Sequence, residues 1–207
     1  MAEALIRALI AAANETIAAH RDELSELDRA IGDGDHGHNM ARGFGAIAEA
    51  ADEIAALPFG KALQKAGMTL VMKVGGASGP LYGTFFLRLA TSFGDRADVG
   101  AAELGTALRA GLDGLVHRGK AELDDKTMVD AISPAVDAYE ATAGDGIGPA
   151  LSAAVDAAAA GRDRVTPLVA RKGRASYLGE RSANHQDPGA TSSTILLEAL
   201  RDAVAQG

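Results

Sequence analysis

The amino-acid sequence predicts an all-α fold, a single domain of about eight helices with its chemistry in the loops that join them. Three observations carry this expectation. Apolar residues recur at helical spacing from end to end, as in the stripe Ile6, Ile10, Ala13 and Ile17. Val, Ile and Thr do not gather into alternating runs of strand length, and no Asn-Gly or Asp-Gly pair sits between two strand-like runs. The composition is 47% hydrophobic but only 4% aromatic, with no Trp, so the interior falls to Ala, Leu, Ile, Val and Met. Such an interior favours packed helices.

In chain order, the opening helix carries the isoleucine stripe. A second stripe, Met40, Phe44, Ile47 and Ala48, begins just after an aspartate-rich loop. Further helical stretches run over 60–72, 81–93, 101–116, 127–142, 147–160 and 192–205. The run "MTLVMKV" at 68–74 is short and apolar enough to form a strand instead. Glycine-containing loops punctuate the helices: "GDGDHG", "GGASGP", "HRGKAELDD", "GDGIG" and "KGRASYLGERSANHQDPG". No internal repeat and no Pro/Ser-rich span divides residues 1–207, a length that suffices for one core.

Several function classes are excluded early. Cysteine is absent, which removes disulfides, thiolate zinc, iron–sulfur clusters and a cysteine nucleophile. With a net charge of −8 and no basic run longer than "RKGR" at Arg171 to Arg174, the chain lacks a nucleic-acid footprint. The apolar N-terminus is punctuated by Glu3, Arg7 and Glu15, and no long uncharged run follows, so no membrane span is expected and a cytoplasmic protein is.

The stretch "LDRAIGDGDHGHNMARG", Leu27 to Gly43, concentrates the chemistry. Asp33 and Asp35 are two apart, a spacing that would send them to different faces of a helix, so a shared site needs the irregular backbone that Gly32, Gly34 and Gly37 allow. Asp28 lies five residues before Asp33, near the end of the preceding helix, within reach of the loop. Three gathered carboxylates repel one another unless a cation neutralises them. An EF-hand fails, because counting from Asp33 puts Phe44 at the twelfth position, where calcium needs oxygen. Zinc through His36 and His38 lacks a third nitrogen or sulfur ligand. Magnesium fits best, since it takes a few carboxylates and completes its shell with water and phosphate. The competing reading is a capped turn at a helix start, for which one aspartate suffices.

Magnesium of this kind implies a phosphate. In "GGASGPLYGTFF", Gly75 to Phe86, Gly75, Gly76 and Gly79 let backbone N–H groups converge, Ser78 adds a hydroxyl, and the helix following Pro80 presents its positive end. A tight helix–helix turn is the alternative there. "GLVHRGKA", Gly114 to Ala121, has Ala121 where a Walker loop needs Ser or Thr, and "GDGIGPA" lacks a dinucleotide fingerprint's third glycine. The long loop from Arg171 adds Lys172, Arg174 and Arg181, basic groups able to offset phosphate charge on an acidic protein or simply to form surface ion pairs.

Taken together, "LDRAIGDGDHGHNMARGF", "GGASGPLYGTFF", "RGKAELDDKTM" and "GRASYLGERSANHQDPGATS" resemble the L subunits of phosphoenolpyruvate-dependent dihydroxyacetone kinases, in family order and over nearly the whole chain. The resemblance implies an up-and-down, barrel-like bundle of eight helices with ADP or ATP held at one end on two Mg2+ ions. It implies that Asp28, Asp33 and Asp35 hold the metals and act in catalysis with Arg174. His36, Gly37, His38, Asn39, Ala77 and Ser78 are then expected around the nucleotide, Gly119 and Met128 near its base, and Arg174 with Asp187, Pro188 and Gly189 at the pocket's edge. The implied activity is phosphoryl transfer from a phosphotransferase-system donor subunit, through the bound nucleotide, to dihydroxyacetone on a separate substrate-binding kinase subunit. Two other functions stay open: the nucleotide-binding subunit of an ATP-dependent kinase for a related short ketose or sugar, and a nucleotide-sensing regulatory module.

Overall fold

The computed structural model of the chain describes residues 2–94, 96 and 99–206. Among them are ten α-helices: α1 (Ala2–Ala19), α2 (Arg21–Ile31), α3 (His36–Glu49), α4 (Ala51–Ala55), α5 (Phe59–Lys73), α6 (Ser78–Phe93), α7 (Ala101–Gly119), α8 (Val129–Thr142), α9 (Ile147–Val165) and α10 (Pro188–Gln206). No strand occurs among the described residues, and "MTLVMKV" lies almost wholly within α5. The helical period wins there because Ala62, Ala66 and Leu70 continue a buried stripe four residues apart.

The eight helices expected from the sequence are α1, α3 and α5–α10, and they close on themselves. Each packs against the next in that order, and α10 returns to pack on α1. Two shorter helices sit outside this count. The break at His20, whose Nδ1 lies 2.8 Å from the Thr16 carbonyl, separates α2 from α1, and α4 is a single turn and a half after Ala50. The α2 helix leans on α3, on α10 and on a 3-10 segment, Arg174–Ser182.

Ile6, Ile17, Met40, Phe44, Leu70, Leu112, Tyr139 and Leu151 are buried in one continuous core, confirming both predicted stripes. An apolar cavity of about 220 Å³ remains inside, lined by all eight ring helices, including Ile10, Phe44, Phe86, Leu108 and Leu197. No helix among the described residues is long and apolar enough to cross a membrane.

The connections α2–α3, α5–α6, α7–α8 and α9–α10 gather at one end of the ring. All four carry the glycine-bearing stretches singled out in the sequence, and the last, the long loop 166–187, also carries the basic residues.

Candidate active site

Asp28 sits in the last turns of α2, buried, with its Oδ2 accepting the backbone N–H groups of Asp35 (2.9 Å) and His36 (3.1 Å). Those are orphan donors at the start of α3, so Asp28 caps the helix from across the loop. Gly34, at φ +77°, turns the chain between the two elements. Asp35 stands at the N-cap position but makes no side-chain capping bond, and Asp33 has only an ion pair with Arg174, Nη2 to Oδ2 at 3.0 Å, among the described residues. One aspartate therefore accounts for the cap, and two carboxylates remain unexplained by it. One oxygen from each of Asp28, Asp33 and Asp35 lies within 4.8 Å of the other two. An all-carboxylate donor set at that spacing suits a hard divalent cation.

Opposite this cluster, α6 begins at Ser78, earlier than the sequence suggested, so Pro80 falls inside the first turn, where its missing N–H is not required. The Ser78 hydroxyl lies 3.2 Å from His36 Nδ1, and His36 Nε2 lies 2.9 Å from Ser192 Oγ on α10. Ser192 in turn meets the Tyr82 hydroxyl at 2.8 Å, and Tyr82 also meets Ser193 at 2.8 Å. Burial lowers the His36 pKa to about 4, against a small opposing effect of Asp35, so the ring is neutral at physiological pH. Burial raises the Tyr82 hydroxyl to about 12, the two serines opposing. The chain of hydroxyls thus fixes Ser78 without placing charge in the interior.

The three aspartates, His36 and Ser78 face one cavity of about 380 Å³, whereas Tyr82, Ser192 and Ser193 lie outside its lining. Of the residues expected at the site, Asp28, Asp33, Asp35, His36, Asn39, Ala77, Ser78, Gly119, Met128, Arg174, Asp187, Pro188 and Gly189 all line it. Gly37 and His38 do not. His38 turns outward to Ser25 Oγ at 2.9 Å, and a Cβ on Gly37 would stand 1.9 Å from the Arg21 carbonyl oxygen. Both belong to the α2–α3 packing: on a helix beginning at His36, only residues three or four apart share the cavity face, which leaves His36 and Asn39.

Asp187 closes the floor. It is the N-cap of α10, with Oδ2 accepting the Ala190 N–H at 2.7 Å, and Pro188 takes the first helical position. Burial pushes its carboxyl up to about 7, with Asp130 adding to the rise and the Ala190 N–H and the Lys126 ammonium opposing it. The sequence reading passed over Lys126, Thr127 and Arg118, which also line the cavity. Lys126 and Thr127 lie within "RGKAELDDKTM", but nothing in their spacing distinguishes them from surface residues.

A closed helical ring with a carboxylate cluster, a glycine–serine helix start and an arginine on one cavity has the donor set that suits a polyphosphate held through a divalent cation. The particular family follows from comparison. Residues 30–202 match the DAK2 domain, and the chain belongs to that family. It is 47% identical over 179 residues, 86% of this chain and 85% of the relative, to the ADP-binding subunit DhaL of the PEP-dependent dihydroxyacetone kinase of Escherichia coli (strain K12). It is 43% identical over 192 residues, 93% of each chain, to the ADP-binding subunit DhaL of the PTS-dependent dihydroxyacetone kinase of Lactococcus lactis subsp. lactis (strain IL1403). Among solved structures it resembles the dihydroxyacetone kinase from C. freundii in complex with AMP-PNP and Mg2+, with a TM-score of 0.73 at 28% identity, over 96% of this chain and 34% of that one. The chain thus spans about a third of that kinase.

Proposed function

We propose that this chain is the nucleotide-carrying subunit of a dihydroxyacetone kinase, holding ADP or ATP on two magnesium ions in the 380 Å³ cavity. It receives a phosphoryl group from a phosphotransferase-system donor subunit and passes it to dihydroxyacetone bound on a separate substrate-binding subunit, in the cytoplasm. The observation that carries this reading is the convergence of Asp28, Asp33 and Asp35 with Ser78 and Arg174 on one cavity. Relatives similar over nearly their whole length are named as ADP-binding subunits of such kinases.

Phosphoryl transfer asks a protein for positioning and charge neutralisation more than for covalent chemistry. Asp28, Asp33 and Asp35 would hold the magnesium ions, which supply neutralisation of phosphate charge when bound. Ser78 and the amides that open α6 offer donors to phosphate oxygens, with neutral His36 fixing the hydroxyl. Arg174, released from Asp33, contributes a forked cation. Gly119 and Met128 form the wall for the base.

The test combines binding with turnover. Calorimetry should show Mg-ADP binding to the purified chain, and magnesium removal should abolish it. The chain with ATP and dihydroxyacetone alone should be inactive. A substrate-binding subunit should permit one turnover from preloaded ATP, and sustained turnover should require the phosphorylated donor subunit. Repeated turnover on free ATP without the donor would replace this reading with an ATP-exchanging kinase.

A further inference from the structure

Lys126 is 1% exposed, and its ammonium is satisfied entirely by backbone: Nζ donates to the carbonyls of Thr166 (2.9 Å), Leu168 (2.9 Å) and Ser182 (2.6 Å). Three donors meet three acceptors, so the group is saturated. The acceptors are not neighbours in sequence. Thr166 and Leu168 lie just past α9, and Ser182 ends the 3-10 segment, so between them stands an arch of chain carrying Lys172, Gly173 and Arg174 on the cavity wall. Ala170 N–H donates to Ser182 Oγ at 2.9 Å and ties the two feet of the arch together, while Arg171 N–H donates to the Asp125 carbonyl at 3.0 Å and ties the arch to the segment that carries Lys126.

The local backbone is bent to deliver this group. Asp124 and Lys126 both adopt left-handed φ, 68° and 64°, without being glycine. Such conformations persist where the surroundings over-determine them, commonly at functional sites. Buried Asp130 supports the bend by accepting the N–H groups of Asp124 (2.6 Å) and Thr127 (2.9 Å). A purely structural role gives no reason for an ammonium, because burying a charge is expensive and an apolar side chain of similar volume packs at least as well. What an apolar side chain lacks is the ability to fix three carbonyls from two separate stretches at one point.

We infer that Lys126 is a positioning residue: its ammonium clasps both feet of the 166–182 arch to the start of α8, and thereby sets Arg174 against the aspartate cluster. The consequence for ligand binding rests on the nucleotide reading above, whereas the clasp itself does not. The clasp couples the Met128 wall of the cavity, at the N-cap of α8, to the Arg174 wall.

The experiment uses the full chain with Lys126→Met, and with Lys126→Gln, which keeps two donors. Without ligand, hydrogen exchange of amides 167–187 should accelerate at least tenfold in Lys126→Met and less in Lys126→Gln, while α1, α6 and α7 keep their protection. Mg-ADP affinity should fall at least tenfold in Lys126→Met, and adding Arg174→Ala should weaken it little further, because the clasp acts through Arg174. Unchanged exchange across 167–187 overturns the inference, as does full additivity of the two substitutions. Loss of protection throughout the ring in both variants also overturns it, by making Lys126 a general folding residue. If the unaltered chain fails to bind Mg-ADP, the nucleotide reading fails while the exchange measurement still decides the clasp.

Discussion

Asp187 offers a prediction whose size follows from its surroundings. Its carboxyl is buried on the cavity floor and stands near pKa 7 rather than at the usual 3.8. The folded protein therefore holds this proton more tightly than the unfolded chain does. Below about pH 4 both states are protonated and the group is neutral in its effect; between about pH 4 and 7 the unfolded chain gives up the proton that the folded protein retains, so stability falls, and above about pH 7, with both states ionised, the loss is complete. At about 1.4 kcal/mol per pH unit, the full span corresponds to about 4 kcal/mol, and water reaching the carboxylate would reduce it to about 2 kcal/mol. Asp187→Asn removes the charge yet keeps an oxygen able to cap α10, as the present Oδ2 does with Ala190 N–H at 2.7 Å. In magnesium-free buffer without nucleotide, the variant should melt higher than the unaltered protein at pH 8, by about 2 to 4 °C per kcal/mol for a domain of this size. The two should converge at pH 4. Taking the difference between the curves removes the contribution of the other acidic groups. Identical pH dependence of the two melting temperatures would refute the assignment of a raised pKa to Asp187.

Asp33→Asn should lower Mg-ADP affinity at least tenfold in calorimetry while leaving ligand-free melting unchanged or slightly raised, because a clustered charge is removed; unaltered affinity would reduce the cluster to capping and surface pairing. Gly37→Ala places a Cβ 1.9 Å from the Arg21 carbonyl oxygen and 2.7 Å from Ser25 Oγ. Since backbone has to yield, the variant should lose about 2 kcal/mol or more in urea unfolding, and a midpoint equal to that of the unaltered protein would show that α2 and α3 separate freely.

The ring itself was legible because period is a local property. Ile6 and Ile17, or Met40, Phe44 and Ile47, declare a helix and its buried face within a few turns. The closure of α10 on α1 was not written in any such stripe; it entered through family resemblance. The α2 helix was foreseen only as the preceding helix that ends near Asp28, and its separation from α1 at His20 was hidden because no Gly or Pro marks that break. The short α4 follows Ala50, in an alanine-rich stretch that gives no boundary signal. Chemical necessity made the aspartate loop readable: three carboxylates in a glycine-rich segment need a reason, and the competing cap uses only Asp28.

Where the cavity lining departs from the residues read from the sequence, the reason is geometric. Gly37 and His38 sit among true lining residues in sequence, but helical geometry sends neighbours to different faces, and only coordinates fix where the helix begins. Lys126 illustrates the converse. Its acceptors are backbone carbonyls 40, 42 and 56 residues away, and a carbonyl has no side-chain identity to betray its role. A lysine after two aspartates reads as a solvated ion pair, whereas the fold turns one aspartate to the Glu122 N–H and Arg164 to the other, and sends the ammonium inward. The site is therefore divided between side chains that announce a ligand and a backbone framework that holds them in place. Asp28 belongs to both, capping α3 with Oδ2 while contributing to the cluster, so removing its carboxylate should damage the loop as well as the metal site. Asp33 caps no helix, its one described partner being Arg174 at 3.0 Å, so with melting measured alongside it is the cleaner probe of the cation.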